Sequence, residues 1–370
     1  MSLCRRLVAA LGLFGAAMLA GCGHSPDLIG VDNPRVPALS VPEARQHRVF
    51  VTTTRAASAR EGVFYSGERS SELALASVVV TVPPGHVEGK VERARRLPPD
   101  PRQQFTAVDP VTYDGEPDFV RAIDAELARR PPADRRILFF VHGYDITMSD
   151  AVLRAGQFVQ DSGFRGVPVV FSWASAGRRM RYVYDINSVL AARSLIDDAS
   201  AILTRTRAQG FDVFAHSMGT LLVMEVLVQS DLAGTLDQSG KLDNIMLAAP
   251  DIDIDVFRSQ LGQIRRKPGN IFVLVSQDDL ALQLSRRVSG GVDRVGAADA
   301  AELGKLGVTV IDLSQIHDSD SGTHRKFAGS PEVVQMIGHM LQKQNYGQPP
   351  RPPSVLEVLE GVPVLRDLLP

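Results

Sequence analysis

The chain has 370 residues, with 40 basic and 42 acidic side chains and a formal charge of −2. A balance this close to neutral excludes the strongly basic surface of a nucleic-acid binder, so no nucleic acid is expected as a partner. Two cysteines, Cys4 and Cys22, exclude a disulfide framework, and folding must rest on a large core, which about 300 ordered residues can supply.

Arg5 and Arg6 precede an apolar run over residues 7–20. That run is shorter than the roughly 20 residues a bilayer span takes, and reads as the core of a signal peptide. It ends in Leu19-Ala20-Gly21-Cys22, which resembles the lipobox of bacterial lipoproteins. The resemblance implies a signal peptide over residues 1–21, cleavage before Cys22, and lipidation of that cysteine. Several acyl chains on one residue give a stable membrane anchor. Cleavage removes Cys4 and lipid occupies Cys22, so the mature chain has neither thiol nor disulfide. Gly23, where Asp would signal retention by resemblance to enteric lipoproteins, points to the outer membrane. The expected location is therefore the cell envelope, facing the periplasm. Residues 22–46, rich in Pro, Gly and polar side chains, are expected to form a flexible tether.

From residue 47 onward, strand-length apolar runs alternate with helix-length segments. Early strands are predicted over 49–53 and 78–82, the second stopped by Pro83-Pro84-Gly85, with a further extended piece over 105–108. Phe119, Val120, Ile123 and Leu127 have helical spacing, closed by Pro131-Pro132. Apolar runs follow over 137–141, 167–171, 213–214, 245–248, 271–275 and 308–311. They are continuously apolar, which marks strands buried on both faces. Helices are predicted over 149–161, 188–209 and 218–229. This alternation defines one α/β domain over residues 47–343, with a mostly parallel central sheet and helices on both faces. Residues 178–187, with Tyr182, Tyr184 and Asp185, read as a short cap. Residues 344–370 form a tail with a Pro-rich linker, Gln348-Pro349-Pro350-Arg351-Pro352-Pro353, then a short amphipathic piece over 355–359.

In open parallel sheets, functional groups gather at the carboxyl ends of the strands. Between the apolar Val213-Phe214 and Leu221-Leu222-Val223-Met224 lies Ala215-His216-Ser217-Met218-Gly219. A strand that turns at once into a helix, with Ser at the apex and small residues two places away on either side, is a nucleophile elbow. Other strand ends carry His142-Gly143-Tyr144-Asp145, Ala248-Ala249-Pro250-Asp251 and Ser276-Gln277-Asp278-Asp279, and the last strand is followed by His317 and His324. The chain order is Ser, Asp, His. A Ser needs a base to become nucleophilic, and the base needs an acid to fix its tautomer. Ser217 is the candidate nucleophile, Asp279 the candidate acid with Asp278 and Asp251 as rivals, and His324 the candidate base with His317 as rival. Backbone N–H groups of Met218 and Tyr144 are the candidate oxyanion donors. His142 and His216 read as scaffold residues. The Asp251-Asp253-Asp255 alternation lacks the Gly and the terminal Glu of a calcium loop and reads as a solvated turn or helix start. Nothing in the motifs calls for a metal or an organic cofactor.

With these residues in view, the chain resembles the α/β-hydrolase family of bacterial esterase/lipase-superfamily proteins catalogued as a domain of unknown function. The carriers are Phe140-Val141-His142-Gly143-Tyr144, Phe171-Ser172-Trp173, the Ser217 elbow, Leu247-Ala248-Ala249-Pro250-Asp251-Ile252-Asp253 and Ser276-Gln277-Asp278-Asp279. The resemblance spans residues 48–340 and implies an α/β-hydrolase fold with a Ser-Asp-His triad. The expected activity is cleavage of a small-molecule or lipid carboxylic ester, with thioester or amide as variants, through an acyl-enzyme. The competing expectations are acyl transfer to another acceptor, or a non-catalytic binding or structural lipoprotein on the same scaffold.

Overall fold

The computed structural model describes residues 25–265, 269–316 and 323–342. Its strands are β1 (Arg45–Ala57), β2 (Tyr65–Val82), β3 (Thr106–Tyr113), β4 (Arg136–Val141), β5 (Val167–Ser172), β6 (Gly210–His216), β7 (Leu242–Ala248), β8 (Asn270–Val275) and β9 (Thr309–Asp312). They form one sheet in the order β3-β2-β1-β5-β4-β6-β7-β8-β9. The β1/β2 and β2/β3 pairs are antiparallel; every other pair, from β1/β5 to β8/β9, is parallel.

The helices are α1 (Glu116–Ala128), α2 (Met148–Ser162), α3 (Tyr182–Ala191), α4 (Arg193–Thr204), α5 (Met218–Leu232), α6 (Ile254–Gln263), α7 (Leu280–Val288), α8 (Ala300–Gly304), α9 (Lys326–Gly329) and α10 (Pro331–Gln342). The continuous apolar runs do what their pattern requires, burying alternate residues on opposite faces. In β4, Leu138 and Phe140 join the layer that holds Val152 and Phe158 of α2 and Ile337 of α10. Ile137, Phe139 and Val141 join the opposite layer, with Phe119 of α1, Ile196 of α4 and Leu222 of α5. Local signals set the limits of α2: Thr147 and Asp150 form a reciprocal capping box, and Gly163 ends the helix at φ 65°.

Two expectations need correction. Residues 27–46 are not a tether throughout. Leu28 and Ala38 are fully buried, Ile29 N–H donates to the Gly62 carbonyl at 2.9 Å, and Gly30 N–H to the Ala107 carbonyl at 2.7 Å. Five buried apolar side chains in a Pro-rich stretch (Leu28, Ile29, Val31, Ala38 and Val41) outweigh its loop-like composition. The helix expected over 188–209 is two helices. The break is at Ala192, whose N–H is shared between the Ser188 and Val189 carbonyls, a tightened turn that ends α3. The second helix stops at Thr204, where Thr206 Oγ1 takes up the Leu203 carbonyl. At the end of the described domain, α9 and α10 are separated at Ser330 because Pro331 has no N–H with which to continue α9, while its fixed φ suits the first turn of α10. The signal peptide, Cys22, His317 and the tail over 344–370 lie outside the described residues.

At the edge of the sheet opposite the strand carboxyl ends, Arg136 opens β4. Its guanidinium donates to Asp212 at 2.6 and 3.2 Å and reaches Asp243 at 2.6 Å, and Asn244 donates to Asp212 at 2.6 Å. Asp212 is fully buried. Arg136→Met leaves that carboxylate without its cation, and a loss of about 3 kcal/mol is expected in urea unfolding.

The irregular segment between β2 and β3 is pinned by His86, whose ring nitrogens lie 2.8 Å from Glu92 and 2.7 Å from Asp161. Burial disfavours the imidazolium, but hydrogen bonds to Asp161 and Glu92 outweigh it, and the pKa rises above 6.5. A raised folded pKa means that the stabilisation is full below the unfolded value of 6.5 and fades as pH climbs through the folded one. Unfolding midpoints measured near pH 6 and near pH 9 should therefore fall further for the parent than for His86→Gln.

Candidate active site

β6 delivers His216 and Ser217 to the carboxyl edge of the sheet, and α5 starts at the next residue. Ser217 sits at φ 53°, ψ −125°, a region costing about 1–3 kcal/mol for a residue with a Cβ. The turn is locked on both sides. Ser217 N–H donates to the Ala248 carbonyl at 2.9 Å, and its own carbonyl accepts from Thr220 N–H at 3.0 Å and Asp251 N–H at 3.3 Å. The small neighbours are required. A Cβ on Gly219 would lie 2.4 Å from the His142 carbonyl oxygen and 2.9 Å from that of Val141; one on Gly143 would lie 2.8 Å from Ser217 Cβ. Gly219→Ala has no room without moving β4 or α5. It should lower activity on ester substrates at least about 100-fold by displacing the Ser217 side chain, with assays against a generic ester as the check. Ala215 fills the other small position, fully buried.

Two loops away, Asp279 ends the β8 turn and caps α7. One of its oxygens accepts from Ala281 and Leu282 N–H, both at 3.0 Å. The other lies 2.7 Å from His324 Nδ1. Each carboxylate oxygen thus has one task, and the carboxyl group is fully buried. His324 is held a second time through its backbone, where His216 Nε2–H donates to its carbonyl at 3.2 Å. The His216 ring lies 4.8 Å from that of His324 and 4.5 Å from Phe327. The structure therefore brings Asp279 and His324 together, with His216, next to Ser217, alongside.

The rival acids have other partners. Asp278 is held by Ser276 at 2.5 Å and by Lys326 Nζ at 2.9 and 3.0 Å. Partial burial acts to raise its pKa, but those two partners hold it below the usual carboxylate range. Asp251 accepts from Tyr182 at 2.9 Å and Ser285 at 2.5 Å and lies 3.3 Å from Arg294 Nε. It joins the cap to α7. Asp253 N-caps α6, accepting from Asp255 and Val256 N–H, which is the helix start its spacing suggested.

The loop after β4 is set by a buried network that the motifs alone do not reveal. His142 Nδ1 lies 2.8 Å from the Gly143 carbonyl; a carbonyl only accepts, so Nδ1 carries the proton. Nε2 then accepts, and Arg55 Nη2 approaches it at 3.4 Å. Burial, with the Arg55 charge second, pushes the His142 pKa down to about 3, so the ring is neutral. Carbonyl and N–H of one trans peptide point in opposite directions. Fixing the Gly143 carbonyl toward the His142 ring therefore aims Tyr144 N–H away from it. Arg55, fully buried in β1, also donates to Ser172 Oγ at 2.8 Å and to the carbonyls of Ser175 at 2.8 Å and Ile146 at 2.7 Å. Trp173 is fully buried in the core, donates to the His142 carbonyl at 2.8 Å and stacks on its ring at 5.0 Å. Met218 N–H is the first of α5, at the positive end of the helix dipole.

A cap over the carboxyl edge is built from a 3₁₀ turn, Arg179–Arg181, and α3. Tyr144 OH donates to the Arg179 carbonyl, the Tyr144 and Tyr182 rings meet edge to face at 5.3 Å, and Tyr182 OH reaches both Asp251 and Ser285. Buried Asp185 accepts from Ser175 Oγ at 2.6 Å and Ala176 N–H at 2.8 Å. No helix among the described residues is long and apolar enough to cross a membrane.

A mostly parallel sheet flanked by helices, with a strained serine between strand and helix and later strand ends supplying Asp and His, defines an α/β-hydrolase fold. The chain belongs to the family described as alpha/beta hydrolase of unknown function (DUF900), whose profile matches residues 121–340. No curated protein matches it significantly. Similar solved structures include an esterase from Pyrobaculum calidifontis, at 12% identity over 56% of this chain and 76% of that one, with a TM-score of 0.34. Another is a fungal esterase from Rhizomucor miehei, at 12% identity over 81% and 84% of the two chains, TM-score 0.36. A third is an alpha/beta hydrolase from the metagenome of Lake Arreo, Spain, at 11% identity over 90% and 96%, TM-score 0.36.

Proposed function

We infer that this protein is a serine hydrolase that cleaves a carboxylic ester through an acyl-enzyme. The observation that carries the reading is the 2.7 Å contact between Asp279 and His324 Nδ1, on the same sheet edge as a serine held at φ 53°. A carboxylate on Nδ1 keeps the proton there and leaves Nε2 free to act as base. In the first half-reaction His324 Nε2 takes the Ser217 Oγ proton as Oγ adds to the ester carbonyl carbon. The oxyanion so formed is met by Met218 and Tyr144 N–H, each worth roughly 3–4 kcal/mol in comparable sites. His324 then gives its proton to the departing alcohol, and the acyl group stays on Ser217. Water repeats the sequence, releasing the acid and restoring the serine.

The pre-set peptide between Gly143 and Tyr144 supports the oxyanion role, because a donor already oriented costs no reorganisation during reaction. Anchoring through lipidated Cys22, in the envelope and facing the periplasm, belongs to the same reading; it rests on the order of charged, apolar and lipobox segments. It is checked by palmitate labelling of the full chain and of Cys22→Ser. The mechanistic claim is tested by stopped-flow mixing with para-nitrophenyl acetate. A nitrophenol burst matching the enzyme concentration, followed by slower turnover, is the expected result. Absence of any nitrophenol release above background would contradict it.

A further inference from the structure

The chain enters the folded body at the edge of the sheet that carries the candidate site. Leu28 is fully buried, and its N–H donates to Ser149 Oγ, in the first turn of α2, at 3.1 Å. Just before it, the Pro26 carbonyl accepts from Arg93 at 3.2 Å and Asp27 pairs with Arg60 at 3.3 Å. Ser25 lines a cavity of about 390 Å³ whose wall also includes Gly143 and His216, beside the candidate nucleophile, and Arg179 of the cap. Cys22 stands three residues before Ser25. An extended chain spans about 3.5 Å per residue, so an acylated Cys22 holds this edge within roughly 10 Å of the lipid.

The cap beside that entry point exposes what a bilayer interface receives. Its turn runs Arg178-Arg179-Met180-Arg181-Tyr182-Val183. Met180 is 96% exposed and Val183 69%, so neither adds to the core. Arg179 is engaged with Asp145 and is left out of the count. Arg178 and Arg181 are exposed, and neither has an ion-pair partner among the described residues; Arg181 lies over the Tyr184 ring at 4.5 Å. Apolar side chains next to uncompensated cations complement an anionic bilayer. The first sink to the level of the acyl chains, and the second meet the phosphates above them.

We propose that the carboxyl edge of the sheet, with residues 178–183 foremost, docks on the bilayer that holds the anchor, and that the ester attacked belongs to a lipid of that bilayer. Docking rests on the anchor, and the substrate class on the hydrolase, of the function proposed above. Loss of Cys4 with the signal and acylation of Cys22 leave no other thiol, so one introduced cysteine takes a label uniquely. Acylated full-length chain carrying Met180→Cys is compared with Ala133→Cys, an exposed position in the turn that leads into β4 at the opposite edge. Each is labelled with a nitrobenzoxadiazole and placed in vesicles of phosphatidylethanolamine and phosphatidylglycerol. Emission from position 180 should shift to the blue and be quenched by spin-labelled lipid, and emission from position 133 should do neither. Silence at 180, or an equal response at 133, would overturn the docking face. So would a mature chain without acyl groups on Cys22, or a response that follows protein concentration in detergent, which would assign the patch to a second copy of the chain.

In parallel, the acylated chain is assayed on the vesicle lipids and on para-nitrophenyl acetate in solution. Lipid turnover should fall about fivefold in each of Arg178→Ser and Arg181→Ser, while turnover of the soluble ester, which also reports folding, stays as in the parent. Turnover of the soluble ester with no cleavage of lipid, or lipid cleavage indifferent to both arginines, would overturn the lipid substrate and leave the hydrolase reading standing. Membrane contact at position 180 without turnover of either ester would keep the docking face and remove the hydrolase. Neither contact nor turnover would remove both.

Discussion

Replacing Ser217 with Ala should lower kcat on any ester substrate by about 10³- to 10⁶-fold while the protein stays folded. In the proposed mechanism the loss is large because the other members of the site act through this oxygen: without it, His324 has no proton to take and the oxyanion donors meet no intermediate. A second substitution separates chemistry from strain. Ser217 occupies φ 53°, ψ −125°, a conformation in which glycine is at ease and alanine is not. Ser217→Gly should be as inactive as Ser217→Ala yet more stable by about 1 kcal/mol in urea unfolding. Equal stability of the two variants would mean that the elbow relaxes once its hydroxyl is gone. A small change in kcat for either would place the chemistry elsewhere.

The second large effect is expected at Asp279, and it has two separable parts. One oxygen caps α7 and the other holds His324. Asn caps a helix about as well as Asp, so Asp279→Asn should keep stability within about 0.5 kcal/mol. Its amide N–H, however, faces His324 Nδ1, which must then accept. The proton moves to Nε2, the atom that has to receive the Ser217 proton, and kcat should fall about 10⁴-fold, as for the corresponding change in serine proteases. Asp279→Ala removes both tasks, adding about 1 kcal/mol of destabilisation to a similar kinetic loss. Asp278→Asn and Asp251→Asn serve as comparisons. Their carboxylates face Lys326 and Tyr182 rather than His324, so their kinetic effects should be far smaller.

Much of this arrangement was legible in the sequence because the determinants are local. Continuous apolar runs marked the strands from β4 to β9, and the small residues around Ser217 marked the elbow. Other parts were hidden for physical reasons. Helix α7 was not anticipated although it carries Asp279 at its cap. Its apolar residues at helical spacing, Leu280, Leu284 and Val288, are exposed by 69, 60 and 63%, while Leu282 and Ser285 face inward. Hydrophobic periodicity there marks the outer face and conceals the packed one. A cap-type Asp before a segment with Arg286 and Arg287 in its last turn was the usable signal.

Arg55 was missed for the opposite reason. It sits in β1 among apolar and threonine residues, and nothing local shows that an arginine there is fully buried and bonded across the sheet to the loops after β4 and β5. The role of Asp251 was equally non-local, since its partners Tyr182, Ser285 and Arg294 come from three separate segments. Residues 27–46 misled by composition: Pro and polar residues disguised the buried Leu28, Ile29, Val31 and Ala38.

The most direct measurement is covalent labelling of the folded, signal-free protein with a fluorophosphonate, followed by peptide mass spectrometry. Such reagents modify a serine only when a neighbouring base activates it. One label on Ser217, lost in Ser217→Ala and strongly slowed in Asp279→Asn, is the expected result. Absence of labelling in a folded parent, or labelling that persists in Ser217→Ala, would contradict the assignment of Ser217 as an activated nucleophile.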